Sequence, residues 1–143
     1  MAINIIDWEN ELSCADTDEH VGIRIATLLE INGNGTYITS IPPGLSITPH
    51  YHQKGAEEYH IVSGNGVIRL LPVEKTKASQ LISKQVKAKN SFVIHPNIIH
   101  QLINNGTEPL VLIFSCPFSH LKNDRFIVQD IEEKLREKIA YSN

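Results

Sequence analysis

Cysteine is nearly absent from this chain. Cys14 and Cys116 are the only two in 143 residues. Neither belongs to a Cys-x-x-Cys, so they read as buried free thiols and not as a disulfide framework. Positive charge is not in excess either: 13 Lys and Arg stand against 16 Asp and Glu, a formal net charge of −3. That balance gives no electrostatic footprint for nucleic acid, and no basic amphipathic segment points to a membrane surface. No apolar run approaches the ~18 residues of a membrane span. The N-terminal segment lacks a basic region followed by a sustained apolar one, so no secretory signal is visible and the expected compartment is the cytoplasm. What remains is a chain of ordinary composition, 41% hydrophobic and 20% charged, suited to one domain with a real core. An enzyme or a binder of a small molecule is the default.

Breakers recur at short intervals: "NGNG" at 32–35, "PPG" at 42–44, "SGNG" at 63–66, "NNG" at 104–106, then Pro109 and Pro117. Between them lie short runs rich in Val, Ile, Leu and Thr, the pattern of an all-β sandwich or barrel over about residues 21–118. Asn32-Gly33 is a good two-residue hairpin turn, because both residues tolerate positive φ. The lysine-rich stretch from Val73 to Lys89 reads as a solvated loop leading into one more strand. Trp8 with Ile3, Ile5 and Ile6 suggests an N-terminal strand laid against the sheet. Near the other end Ile127, Ile131, Leu135 and Ile139 recur every four residues. That period predicts one amphipathic C-terminal helix over about 127–141.

The histidines are the unusual feature. Seven occur in the chain, and His50, His52 and His60 fall close together beside Glu57 and Glu58. Residues two apart in a strand share a face, so His50 and His52 project together, about 6–7 Å apart. Gly55 lies in a turn, and a return strand next to the first would bring Glu57 back to the same centre. By parity Glu57, Tyr59 and Ile61 share that face, while Glu58 and His60 point away. His50, His52 and Glu57 therefore form one candidate site, and His60 reads as a surface histidine. About forty residues on, a turn at Pro96-Asn97, with Asn97 suited to positive φ, delivers His100 to the start of another strand. His95 flanks that turn. His20 and His120 lie in flanking segments and nothing singles them out.

These residues resemble the two motifs of the cupins. The first motif is Gly, five residues, His-x-His, three or four residues, Glu, six residues, Gly. It is met at Gly44, His50, His52, Glu57 and Gly64. The second is met at Pro96, His100 and Asn104, but Lys89 or Asn90 stands in place of its first glycine and Asn97 in place of its turn glycine. The resemblance covers about Arg24 to Pro117. It implies a jelly-roll barrel in which His50, His52, Glu57 and His100 are metal ligands, and commonly a homodimer.

Three imidazoles and a carboxylate suit one divalent ion among Mn, Fe, Co, Ni, Cu and Zn. Open coordination positions would make such a site catalytic in character. The expected function is metal-templated chemistry on a small oxygen-rich metabolite, of dioxygenase or of isomerase and lyase type. Glu57 is a ligand and candidate base, and Tyr59 a candidate hydrogen-bonder to substrate. The alternative is a cupin module or sensor that binds metal and metabolite without turnover. Arg69 is out of phase with Ile68 and Leu70, so it reads as pointing away from the pocket. That favours a neutral or mildly acidic substrate over a phosphorylated one. Val67 and Leu71 share the outward phase, and their apolar face is expected to be covered by a second copy.

Overall fold

Asn32 and Gly33 take φ of 53° and 81°, reversing the chain in two residues. β2 (Ile23–Ile31) therefore pairs antiparallel with β3 (Asn34–Ile41), which the turn chemistry predicts. The computed structural model describes residues 2–75 and 77–135. Around that hairpin are β1 (Thr17–Asp18), β4 (His50–Tyr51), β5 (Glu57–Ser63), β6 (Asn65–Pro72) and β7 (Ile82–Lys87). β8 (Ser91–Ile94), β9 (Ile98–Ile103), β10 (Leu110–Pro117) and β11 (Phe126–Ile127) follow. They form a six-stranded sheet in the order β1-β2-β3-β10-β5-β8 and a five-stranded sheet in the order β11-β4-β9-β6-β7. The fold is the all-β jelly-roll barrel that the motifs imply. It reaches slightly beyond 21–118, because β1 and β11 also join the sheets.

Period-two alternation fills the barrel. Glu57, Tyr59 and Ile61 of β5 are buried while Glu58 and His60 are exposed, and Leu110, Leu112, Phe114 and Cys116 of β10 are buried in the same way. Their side chains meet Ile68, Leu102 and Ile94 from other strands in one cluster. Each such Leu or Ile contributes roughly 1.5–3 kcal/mol by burial. Cys116 is buried as expected, whereas Cys14 is exposed.

Two expectations change at the ends of the chain. The N-terminal segment packs on the outer face of the six-stranded sheet, but as a helix, α1 (Trp8–Cys14). Asp7 decides this: its carboxylate accepts the Asn10 N–H, and Glu9 and Glu11 occupy the first turn. Ile6 and Leu12 then cover Ala26, Leu28 and Ile38. At the other end, Phe126 and Ile127 pair with Tyr51 and His50 as β11, so the helix starts only at residue 131. Asp130 caps it, accepting from the N–H groups of Glu132 and Glu133. Residues 136–141 of the expected helix, Ile139 among them, lie outside the described residues. Ile131 and Leu135 pack on Leu71 and Ile99. The outward-facing Leu71 is thus covered by the chain itself and not by a second copy.

Candidate metal centre

His50 and His100 are directly opposed in the antiparallel β4–β9 pair, which places their Cβ atoms close and their ring centroids 4.3 Å apart. His52 follows two residues after His50, with its ring 5.1 Å from that of His50. Glu57 does not return on a neighbouring strand. β5 belongs to the opposite sheet, and Glu57 reaches the same centre from across the barrel. Sequence parity gives the face a residue occupies, but not the sheet its strand joins.

The three imidazoles are oriented by main-chain carbonyls. Nδ1 of His50 donates to Thr48 O at 2.8 Å, Nδ1 of His100 to Ile98 O at 3.0 Å, and Nδ1 of His52 to Asp124 O at 2.5 Å. A proton fixed on each Nδ1 leaves the Nε2 lone pair free, the arrangement typical of metal-binding histidines. Ring nitrogens of His50, His52 and His100 converge within 4.8 Å of one another. Burial, then the neighbouring His100, hold His50 well below the ordinary imidazole range, so it stays neutral.

The donor atoms fit a cation better than they fit one another. His52 Nε2, His100 Nε2 and Glu57 Oε2 are buried without a hydrogen-bond partner. His52 Nε2 lies 3.1 Å from Glu57 Oε1 and His100 Nε2 lies 3.5 Å from Oε2, but neither approach has hydrogen-bond geometry. Buried polar atoms left without a partner in a dry interior are costly, and a divalent ion among them would remove that cost. Three imidazoles and a carboxylate suit a first-row transition metal.

Around the donors lies a second group of polar side chains. His120, 1% exposed, contacts Glu57 Oε1 through Nδ1 at 3.1 Å and Lys54 O through Nε2. Its ring stacks on His52, with centroids 3.9 Å apart and planes within 3°. Burial lowers its proton affinity, but the contacts with Glu57 and Lys54 outweigh that and raise it. Burial likewise opposes ionisation of Glu57, yet the imidazoles of His100, His120 and His52 hold its carboxyl well below the usual range. Burial and then the Glu57 charge push the Tyr59 phenol and the Cys116 thiol up, so both stay protonated. The cavity beside this cluster is narrow, about 20 Å³, and partly open to solvent. Val21, Ile23, Ile25, Ile47 and Phe114 form its apolar wall, and Tyr59 and Arg125 also face it. Arg125 is paired bidentately with Asp18 at 2.8 and 3.2 Å.

His50, His52, Glu57, Tyr59 and His100 thus come together, as the strand phases suggest. His60 points out and meets Ser91 Oγ, and His95 and His20 are exposed. Arg69 faces outward, paired with Glu132. Asn104 is structural: its amide donates to Ile41 O and Glu108 O while its oxygen accepts from Gly106 N. His120 and Arg125 are the residues that sequence reasoning passes over. Both follow Pro117, where strand alternation ends, so no periodicity marks them.

A jelly roll with this inward histidine cluster has the cupin fold. The chain belongs to the polysaccharide biosynthesis C-terminal domain family, whose profile matches residues 20–130. No curated protein sequence matches the chain significantly. Among solved structures it is similar to the capsular polysaccharide assembling protein CapF from Staphylococcus aureus. The two share 21% identity at TM-score 0.69, over 81% of this chain and 32% of that one. It therefore spans about a third of that protein's length. An uncharacterised conserved protein with a double-stranded β-helix domain from Klebsiella pneumoniae subsp. pneumoniae is also similar, at 16% identity and TM-score 0.66 over 90% and 100% of the two chains. An oxalate oxidase shares 20% identity at TM-score 0.63, over 82% and 61%. At such identities the likeness is one of fold.

Proposed function

We propose that this chain is a metal-dependent cupin enzyme acting on a small, oxygen-rich sugar intermediate of polysaccharide biosynthesis. The reaction is redox-neutral, of isomerase, epimerase or lyase type. The observation that carries the metal is the convergence of imidazole nitrogens beside Glu57, with three buried donor atoms lacking any partner. The family supports the sugar. Bound there, a divalent ion supplies Lewis acidity toward a substrate carbonyl and a template for its oxygens. His50, His52, His100 and Glu57 would hold it. Glu57, loosened from the metal, would be the group able to take a proton from carbon next to that carbonyl. Tyr59, held protonated, is the group able to donate a hydrogen bond to a substrate oxygen. The apolar wall excludes water from the carbon whose proton moves.

Elemental analysis of tag-free protein purified without chelators is the first test, beside a His50→Ala, His100→Ala double variant. Near one equivalent of a transition metal per chain, lost in the variant, is expected. Incubating the loaded protein with keto-sugar nucleotides in D2O should then give carbon-bound deuterium by NMR without oxygen uptake. Oxygen consumption would instead favour an oxidase or dioxygenase, with the oxalate oxidase fold as precedent. Metal binding with no exchange and no oxygen uptake would favour a binding module. A chain that is metal-free and refuses added metal would overturn the reading.

A further inference from the structure

The turn that carries His52 and Glu57 is held from one side by residues far along the chain. Asp124 accepts the His52 Nδ1 proton through its carbonyl, and its carboxylate accepts the N–H groups of Gln53 at 2.7 Å and Lys54 at 3.0 Å. His120, in the 3-10 turn Phe118–Leu121, takes the next two points, the Lys54 carbonyl and Glu57 Oε1. Both nitrogens of its ring face acceptor oxygens, although one of them also lies within 4.8 Å of donor atoms of His52 and Glu57. A buried histidine that merely filled space would need only apolar neighbours. This one instead meets one donor's carboxylate and lies flat on another donor's ring.

We propose that His120 is a positioning residue of the metal centre. By engaging Oε1 of Glu57 and the Lys54 carbonyl together, it leaves Oε2 as the carboxylate oxygen directed at the metal, and by stacking it fixes the plane of His52. The assignment rests on reading His50, His52, Glu57 and His100 as the donors. Holding a donor in place from behind typically changes metal affinity by about 10–100-fold.

Cobalt(II) reports both affinity and donor geometry, through competition with a chelator and through its visible spectrum. His120→Asn carries an amide near the place of Nδ1 and keeps a donor for Glu57. His120→Gln carries one near the place of Nε2 and keeps only the Lys54 contact. His120→Phe keeps the stack alone. Cobalt affinity should fall about 10–100-fold, with an altered spectrum, in the Gln and Phe variants, and His120→Asn should restore most of both. Wild-type affinity and spectrum in His120→Gln and His120→Phe would overturn the assignment. X-ray absorption of the cobalt-loaded wild-type protein provides a check independent of variant folding. Three coordinated imidazoles are expected, and a fourth would make His120 a ligand and overturn the positioning role. A wild-type chain that takes up no cobalt would overturn the metal reading and this assignment together.

Discussion

Lys89 adopts a backbone conformation that suits glycine. Its φ is 76°, in a turn closed by Asn90 N–H to Lys87 O at 3.0 Å, and the third position of such a turn favours glycine. Its side chain is exposed and offers no compensating burial. Lys89→Gly should therefore stabilise the fold by about 0.5–1 kcal/mol, read as a raised urea midpoint at unchanged slope. Gly64 is the opposite case. Its φ is 91°, and an added Cβ would sit 2.5 Å from the Pro109 carbonyl oxygen, so Gly64→Ala should destabilise by at least about 1–2 kcal/mol. Glycine spacing made the first motif legible in sequence. The second motif left Lys89 and Asn90 as equal candidates for the missing glycine, and only the backbone angle identifies Lys89.

At the scale of elements, what lies inside was readable wherever alternation was unbroken. Strand parity placed Glu57 and Tyr59 inward and His60 and Arg69 outward without any structure. Parity carried no information across Pro117, and the contribution of His120 was lost there. Nor could it show that β5 lies in the facing sheet, because pairing depends on contacts remote in sequence. The helix of residues 131–135 was legible from its four-residue period, but its start was not, since β11 claims Ile127 for the sheet. The packing of this helix on Leu71 and Ile99 makes Ile131, 1% exposed, the informative probe. Ile131→Ala should cost about 2–5 kcal/mol, measured by denaturant unfolding, with cobalt affinity little changed. Asp124→Ala removes two bonds that pin the turn after His52. It should cost about 1–3 kcal/mol and weaken metal retention as well, as dialysis against a chelator would reveal.

For the molecule as a whole, a metal bound at the proposed site would be coupled to folding. A metal at a hundredfold excess over its Kd should stabilise the native chain by about 2.7 kcal/mol, a rise of several degrees in Tm, and His50→Ala should abolish that rise. The homodimer is also best tested at this scale. With Leu71 covered internally, its motivation moves to the six-stranded sheet and the segment before α1, where Ile3 and Ile5 are 78% and 92% exposed and Val62 and Val93 are 41% and 47% exposed. Light scattering should give twice the chain mass, and Ile3→Ser, Ile5→Ser should shift it toward the monomer.

The bond from His52 to the Asp124 carbonyl joins residues 72 apart in sequence. On a ribosome the first three donors of the motif, His50, His52 and Glu57, emerge long before the segment that aims them. His100 emerges next, and the Asp124 carbonyl that aims His52 is made after all four. A metal held by these residues would therefore meet a fully aimed donor set only after the stretch around Asp124 has been made.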